Sequence, residues 1–223
     1  MIVSVHQPQY LPWIGYFDKI KKSDIFVFLD NVQYKKREFQ NRNKIRTKNG
    51  WIWLTVPVIT KGKFLQNISE VEIDNTKDWQ IEHYRSIELN YTKTEFFHKY
   101  KSFIEEIYKK KWSKLLDINI CIIKKILEIF NIKTEIHYET EFNITTTSTQ
   151  RIIDICKKLN ADTYMSGIGG KNYLDEDLFI KNNIKLIYQN FKHPVYKQNF
   201  DGFQINMSII DFLFNCGNKT WDA

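Results

Sequence analysis

The sequence predicts an α/β fold, a Rossmann-like, mainly parallel sheet that carries a β-hairpin and a helical insert. Three observations predict it. β-rich or wholly apolar runs alternate with helix-spaced stretches at both ends of the chain, as in a parallel sheet with covered faces. An Asn49-Gly50 pair separates two strand-like runs, the sign of a tight hairpin. The centre, from Thr92 to Phe130, shows helical periodicity alone. With 223 residues, 43% of them hydrophobic and 26% charged, the chain can bury a sizeable core, and a single domain over 1–223 is expected.

Taken in order, Met1 to Val5 predicts a strand, Gly15 to Lys22 a short helix, and Asp24 to Leu29 a strand buried on both faces. The Asn-Gly hairpin then carries the basic residues on one arm and Trp51 to Val58 on the other. Thr92 and Glu95 suggest a capping box for a helix through Phe96, Tyr100, Phe103 and Ile107. The next helix spans Ser113 to Phe130. In the last third, strands near Glu135–Tyr138, Asp162–Met165 and Ile184–Gln189 alternate with helices at about Thr149–Leu159 and Asp175–Asn182. A closing helix from Ser208 to Asn215 stops at Cys216-Gly217, where glycine suits a positive φ.

Composition narrows the function. No window of about 18 uninterrupted apolar residues occurs, and the opening run is too short for a signal peptide, so a cytoplasmic protein without membrane insertion is expected. Cys121, Cys156 and Cys216 are scattered, which argues against both a disulfide framework and a zinc site, and no metal is expected. The net charge is +7. Seven cations and one acid between Lys35 and Lys48 supply +6 of it. A local positive field of that kind can focus on an anionic ligand.

Four clusters carry candidate chemistry. HQPQYLPWIGYF, from His6 to Phe17, follows the first strand at the sheet edge where ligands bind in open parallel sheets. His6 is its candidate general acid or base, with Gln9, Tyr10 and Tyr16 as substrate contacts. Asp30 and Gln33 follow the second strand and are expected to face His6. Asn41, Arg42 and Asn43 mix a guanidinium fork with neutral amides, a set suited to a phosphorylated sugar. Gly169, Gly170, Lys171 and Tyr173 sit in a glycine turn between strand and helix, where backbone can approach phosphate closely. The turn lacks the spacing of either a Walker loop or GxGxxG. Asp211, on an apolar helix, needs buried partners.

HQPQYLPWIGYF, DNVQ at Asp30–Gln33, NRNKI at Asn41–Ile45, GGKNYLD at Gly169–Asp175, YKQ at Tyr196–Gln198 and MSIIDFLFN at Met207–Asn215 occur in one order along nearly the whole chain. In this the sequence resembles the WbqC-like family. The resemblance implies a role in O-antigen or capsule assembly, through transfer of glycine or another aminoacyl group to an amino sugar. The expected reaction is amide formation on a nucleotide-linked amino sugar, with an activated acyl or aminoacyl donor and no tightly bound cofactor. An aminoacyl-tRNA is one donor that fits. His6 or Asp30 would take the amine proton, Asn43 or backbone amides would steady the oxyanion, and the Arg42 cluster would hold phosphates. Two rival readings are nucleotidyl or adenylyl transfer at His6, and RNA binding by basic strands interleaved with Tyr34, Phe39, Trp51 and Trp53.

Overall fold

A computed structural model describes residues 1–221. In chain order the strands are β1 (Ile2–His6), β2 (Ile25–Phe28), β3 (Arg42–Thr47), β4 (Gly50–Thr55), β5 (Glu135–Tyr138), β6 (Thr163–Ser166) and β7 (Lys185–Tyr188). The helices are α1 (Ile14–Lys21), α2 (Trp79–Tyr91), α3 (Phe97–Lys109), α4 (Leu115–Ile129), α5 (Ser148–Lys158), α6 (Glu176–Lys181) and α7 (Ile209–Cys216). They gather into two compact units. The first holds Met1–Pro8, Gly15–Val32 and Ile132–Lys192; the second holds Gln9–Ile14, Gln33–Asn131 and the chain from His193. The units interleave along the sequence with no Pro/Gly/Ser-rich linker to mark their boundaries, so the sequence reads as one domain.

The first unit is a five-stranded parallel sheet in the order β5-β2-β1-β6-β7. The chain runs outward from β1 through β2 to β5, then resumes on the other side of β1 with β6 and β7. That reversal makes β1 and β6 the switch point of a doubly wound sheet. Alternation along β1 sends Val3 and Val5 into a core with Ile25, Val27, Ile153 of α5 and Phe179 of α6. Each large apolar side chain fully buried there contributes about 1.5–3 kcal/mol. The opposite face meets α1 and the turn after it: Ser4 Oγ lies 2.6 Å from Ser23 Oγ, and the Tyr16 ring packs edge-on against Phe26 at 5.8 Å.

The second unit holds the predicted hairpin, with Lys44 paired to Trp53 and Gly50 at φ +114° just after the turn. Ile45 and Leu54 point into its core. Two elements, α2 and the start of α3, differ from the expected series. Thr92 does not open a capping box; it ends α2, with Oγ1 donating to the Glu88 carbonyl at 2.5 Å. α3 begins after the sharp bend at Thr94, whose Oγ1 donates to the Tyr91 carbonyl. α2 escapes sequence reading because its buried row, Trp79, His83, Ile87 and Tyr91, mixes polar and aromatic residues. Ile81 and Leu89 are meanwhile exposed.

Asp211 of α7 finds the partners its burial demands. Tyr91 Oη donates to it at 2.9 Å, Tyr196 Oη at 2.6 Å and Gln198 Nε2 at 2.8 Å. Ser208 caps this helix and accepts from the Ile210 amide. Among the described residues no helix is long and apolar enough to cross a membrane.

Candidate functional site

The first unit builds its candidate site at the carboxyl ends of β1 and β6. β1 pairs with β6 through Ile2–Thr163 and Val3–Tyr164. Pairing stops there, although β1 runs on to His6 and β6 to Ser166, and the two are adjacent strands of one parallel sheet. The loop after β1 and the glycine turn after β6 therefore leave the sheet as neighbours, on either side of the switch point.

His6 is half-buried. Its ring meets the Tyr16 ring edge-on at 5.0 Å, and Nδ1 lies 3.1 Å from the Gln7 carbonyl. A carbonyl only accepts, so Nδ1 carries the proton and Nε2 keeps its lone pair. Tyr16 Oη donates to the same carbonyl at 3.2 Å, which fixes loop and ring together. Burial, with the nearby Lys19 charge, pushes His6 down to about 3. At neutral pH its imidazole is therefore an uncharged base.

Lys19 was not among the residues expected from the sequence. It is buried on α1, and its ammonium donates to the Val5 carbonyl at 3.0 Å. Burial pushes it down to about 7. The one sequence signal was a lysine set inside the apolar row of Tyr16 and Ile20, where a solvated side chain has no room.

Asp30 is placed at the end of β2, but its carboxylate is not on His6. One oxygen accepts from the Thr140 amide at 3.1 Å and the other from Thr140 Oγ1 at 2.8 Å. It thereby ties down the 3-10 turn Glu139–Phe142 that follows β5. Glu139 is buried beside it and pairs with Arg151 of α5 at 2.8 Å. Burial raises the Glu139 carboxyl, helped by Asp30 and opposed by Arg151. This pair also lay outside the sequence reading, because its members are twelve residues apart on different elements.

The glycine turn Ile168–Asn172 divides its glycines by role. Gly170 is buried, and a Cβ there would lie 2.0 Å from Ser166 Oγ and 2.9 Å from Leu174 Cδ1. The fold therefore demands glycine at that position. Gly167 and Gly169 have open space where a Cβ would stand and no positive φ, so nothing within the chain requires glycine at either. Lys171 sits with Nζ 5.1 Å from the Tyr188 ring centre, and Tyr173 is exposed.

The remaining expected residues lie in the second unit. Tyr10 is fully buried; its hydroxyl is 2.9 Å from His83 Nδ1 and 2.5 Å from Tyr108 Oη. Asn43 is buried too and donates to the carbonyl of Leu11 at 2.7 Å, holding that residue at φ +45°. Asn41 donates to the Val56 carbonyl at 2.9 Å, while its own side-chain oxygen, like that of Gln9, is buried without a hydrogen bond among the described residues. Gln33 is exposed and donates to the Phe64 carbonyl at 3.0 Å. Arg42 reaches the Arg37 carbonyl and lies 4.3 Å from the centre of the Trp53 ring. Tyr10 and Asn43 are thus committed to packing, whereas Arg42 is half-buried, with its Nε shielded from solvent.

Comparison with known proteins matches residues 7–223 to the WbqC-like protein family. An uncharacterized protein of Mycobacterium tuberculosis is 35% identical over 222 residues, covering 99% of this chain and 96% of its own. No solved structure matches.

Proposed function

This chain belongs to the WbqC-like protein family, and we propose that it forms an amide on a nucleotide-linked amino sugar held at the switch point of its parallel sheet. The observation that carries the reading is the pair Gly167 and Gly169, open to space beside the strand that ends in His6. Backbone free of side chains lets a phosphate come close. The neutral His6 imidazole supplies a base at the carboxyl end of the adjacent strand.

The sugar's amino nitrogen attacks the carbonyl carbon of an activated acyl or aminoacyl donor. A C–N bond forms, the bond from the acyl carbon to the leaving group breaks, and the amine proton passes to His6 and on to the leaving group. Tyr16 and the Gln7 carbonyl hold the ring in the tautomer this requires. Asp30 secures the turn after β5, and His6 is the proton acceptor. The resemblance to that family implies a place in surface-polysaccharide assembly, and we take an O-antigen or capsule precursor as the acceptor.

The test is a panel of nucleotide amino sugars, read first as thermal stabilisation and then as amide product with acyl donors. A ligand that binds only the folded chain raises the melting temperature with its concentration. His6→Gln is expected to keep that stabilisation and to lose roughly 10²–10⁴-fold in turnover. Undiminished turnover in His6→Gln removes it from the chemistry, and a panel without any stabilising member removes the substrate class.

A further inference from the structure

The outer face of the β3–β4 hairpin is a layered surface of cations and aromatic rings. Arg42 lies 4.3 Å from the Trp53 ring centre, and Lys44 lies 4.2 Å from that of Trp51 and 5.2 Å from that of Trp53. Phe39 extends the row, 5.9 Å from Trp53. Trp51 is 41% exposed and Phe39 39%, values that leave part of each ring open to solvent, while Trp53 is half-buried. Strand alternation puts Arg42 and Lys44 outward while Asn43 and Ile45 are buried. Arg46 has the same parity as the outward pair but is covered: its guanidinium donates to the carbonyls of Gly50, Asp201 and Gly202 at 2.6, 2.5 and 2.9 Å.

Charge balance along the stretch of chain from Lys35 to Lys48 is unusual. Among the described residues, none of the cations Lys35, Lys36, Arg37, Arg42, Lys44 and Lys48 pairs with a carboxylate. Elsewhere lysines do pair, as Lys63 with Glu72 at 2.7 Å and Lys101 with Glu88 at 3.3 Å. A field of one sign on exposed residues attracts polyanions.

Chemistry selects among polyanions. Lysine, arginine and tryptophan side chains donate and do not accept, so the face favours acceptor-rich anions such as phosphates. The Trp51 and Trp53 rings meet edge to face with centroids 5.6 Å apart, and aromatic faces on such a strand suit bases that stack, with ammonium and guanidinium groups beside them for phosphates. Thr55 is set beside Arg42 by the strand register and is exposed. Its hydroxyl is an acceptor to which a ribose 2′-hydroxyl can donate.

We infer that the β3–β4 face binds single-stranded RNA, by base stacking on Trp51, Trp53 and Phe39 and by phosphate contacts to Arg42 and Lys44. The inference goes beyond the transfer reading and does not depend on it, since binding is measured with no reaction taking place.

The experiment is fluorescence anisotropy of the full chain with a short fluorescein-labelled oligoadenylate RNA across a salt series. Equal lengths of DNA and of duplex RNA, and heparin as a polyanion without bases, serve as competitors. Expected are a log–log salt slope that falls by about 0.7 for each of Arg42→Ala and Lys44→Ala, and an affinity lowered about tenfold or more by Trp51→Ala. Trp51→Phe should recover most of that loss, and Thr55→Val should weaken RNA but not DNA. Melting temperatures of the variants, expected to match the parent, separate lost binding from lost folding. RNA binding indifferent to Trp51→Ala, or competition by heparin equal to that by single-stranded RNA, overturns stacking. Equal affinity for DNA overturns the assignment to RNA, and absence of binding overturns the whole inference.

Discussion

His6 shows how one side chain's surroundings set its chemistry. The sequence singles out this histidine for its position after the first strand and for an ordinary imidazole titration near neutrality. The structure keeps the position and changes the titration, since burial and Lys19 push it down to about 3. A base that titrates there stays unprotonated well below neutral pH, whereas a histidine near 6.5 loses about tenfold in active form per unit below that value. The transfer rate is therefore expected to show no acid limb from His6 between about pH 5 and 7. Lys19→Met, by removing the neighbouring charge, should move the acid limb upward, toward neutrality. Rate profiles of parent and variant measure both effects. An acid limb at 6.5 in the parent would show that His6 is solvated like a free imidazole.

At the scale of elements the sequence was legible where one physical rule acts alone. β5 was expected at its observed bounds, and the hairpin turn followed from Asn49-Gly50, because period-two patterning and turn stereochemistry are local. α2 was not legible, since its buried row holds His83 and Tyr91, whose fit depends on partners far along the chain. The site divides in the same way. The edge where His6 and the glycine turn lie could be read from strand–loop order, whereas Lys19, Glu139 and Arg151 take their meaning from burial that only the tertiary structure creates. Asp30 was legible as a position and not as a contact, because its partner Thr140 lies 110 residues away. The glycine turn turns this into a measurement. Gly170→Ala must displace Ser166 Oγ and Leu174 Cδ1, and is expected to cost about 1–3 kcal/mol of stability. Gly169→Ala meets open space, so it should leave stability unchanged while weakening a nucleotide sugar seated against that backbone. Urea titrations of both variants, with thermal shifts in the presence of ligand, check the pair. Equal stability losses would mean that the glycines are not divided by role.

For the whole chain, proton uptake on unfolding decides how stability answers acid. His6 is pushed down to about 3 and His83 to about 4, each chiefly by burial. In the unfolded chain both return to about 6.5. Between those values the unfolded chain binds protons that the folded chain refuses, so stability falls as pH is lowered through 6.5 and on toward 4. Each histidine contributes a slope of at most about 1.4 kcal/mol per pH unit. Glu139 and Asp211 act in the opposite sense: burial raises both carboxyls, so the folded chain protonates them first and gains stability in acid. The net slope is therefore smaller than the two histidines alone would give, and a comparison of variants isolates the histidine part. His83 contacts Tyr10 Oη through Nδ1, a contact that the amide of His83→Gln can partly replace. In urea unfolding at pH 7.5 and 5.5, parent and His83→Gln are expected to differ most at the higher pH and to converge at the lower, because the variant has no imidazole to protonate when it unfolds. A stability difference that stays constant across the two pH values would show that His83 takes up its proton in the folded chain as readily as in the unfolded one.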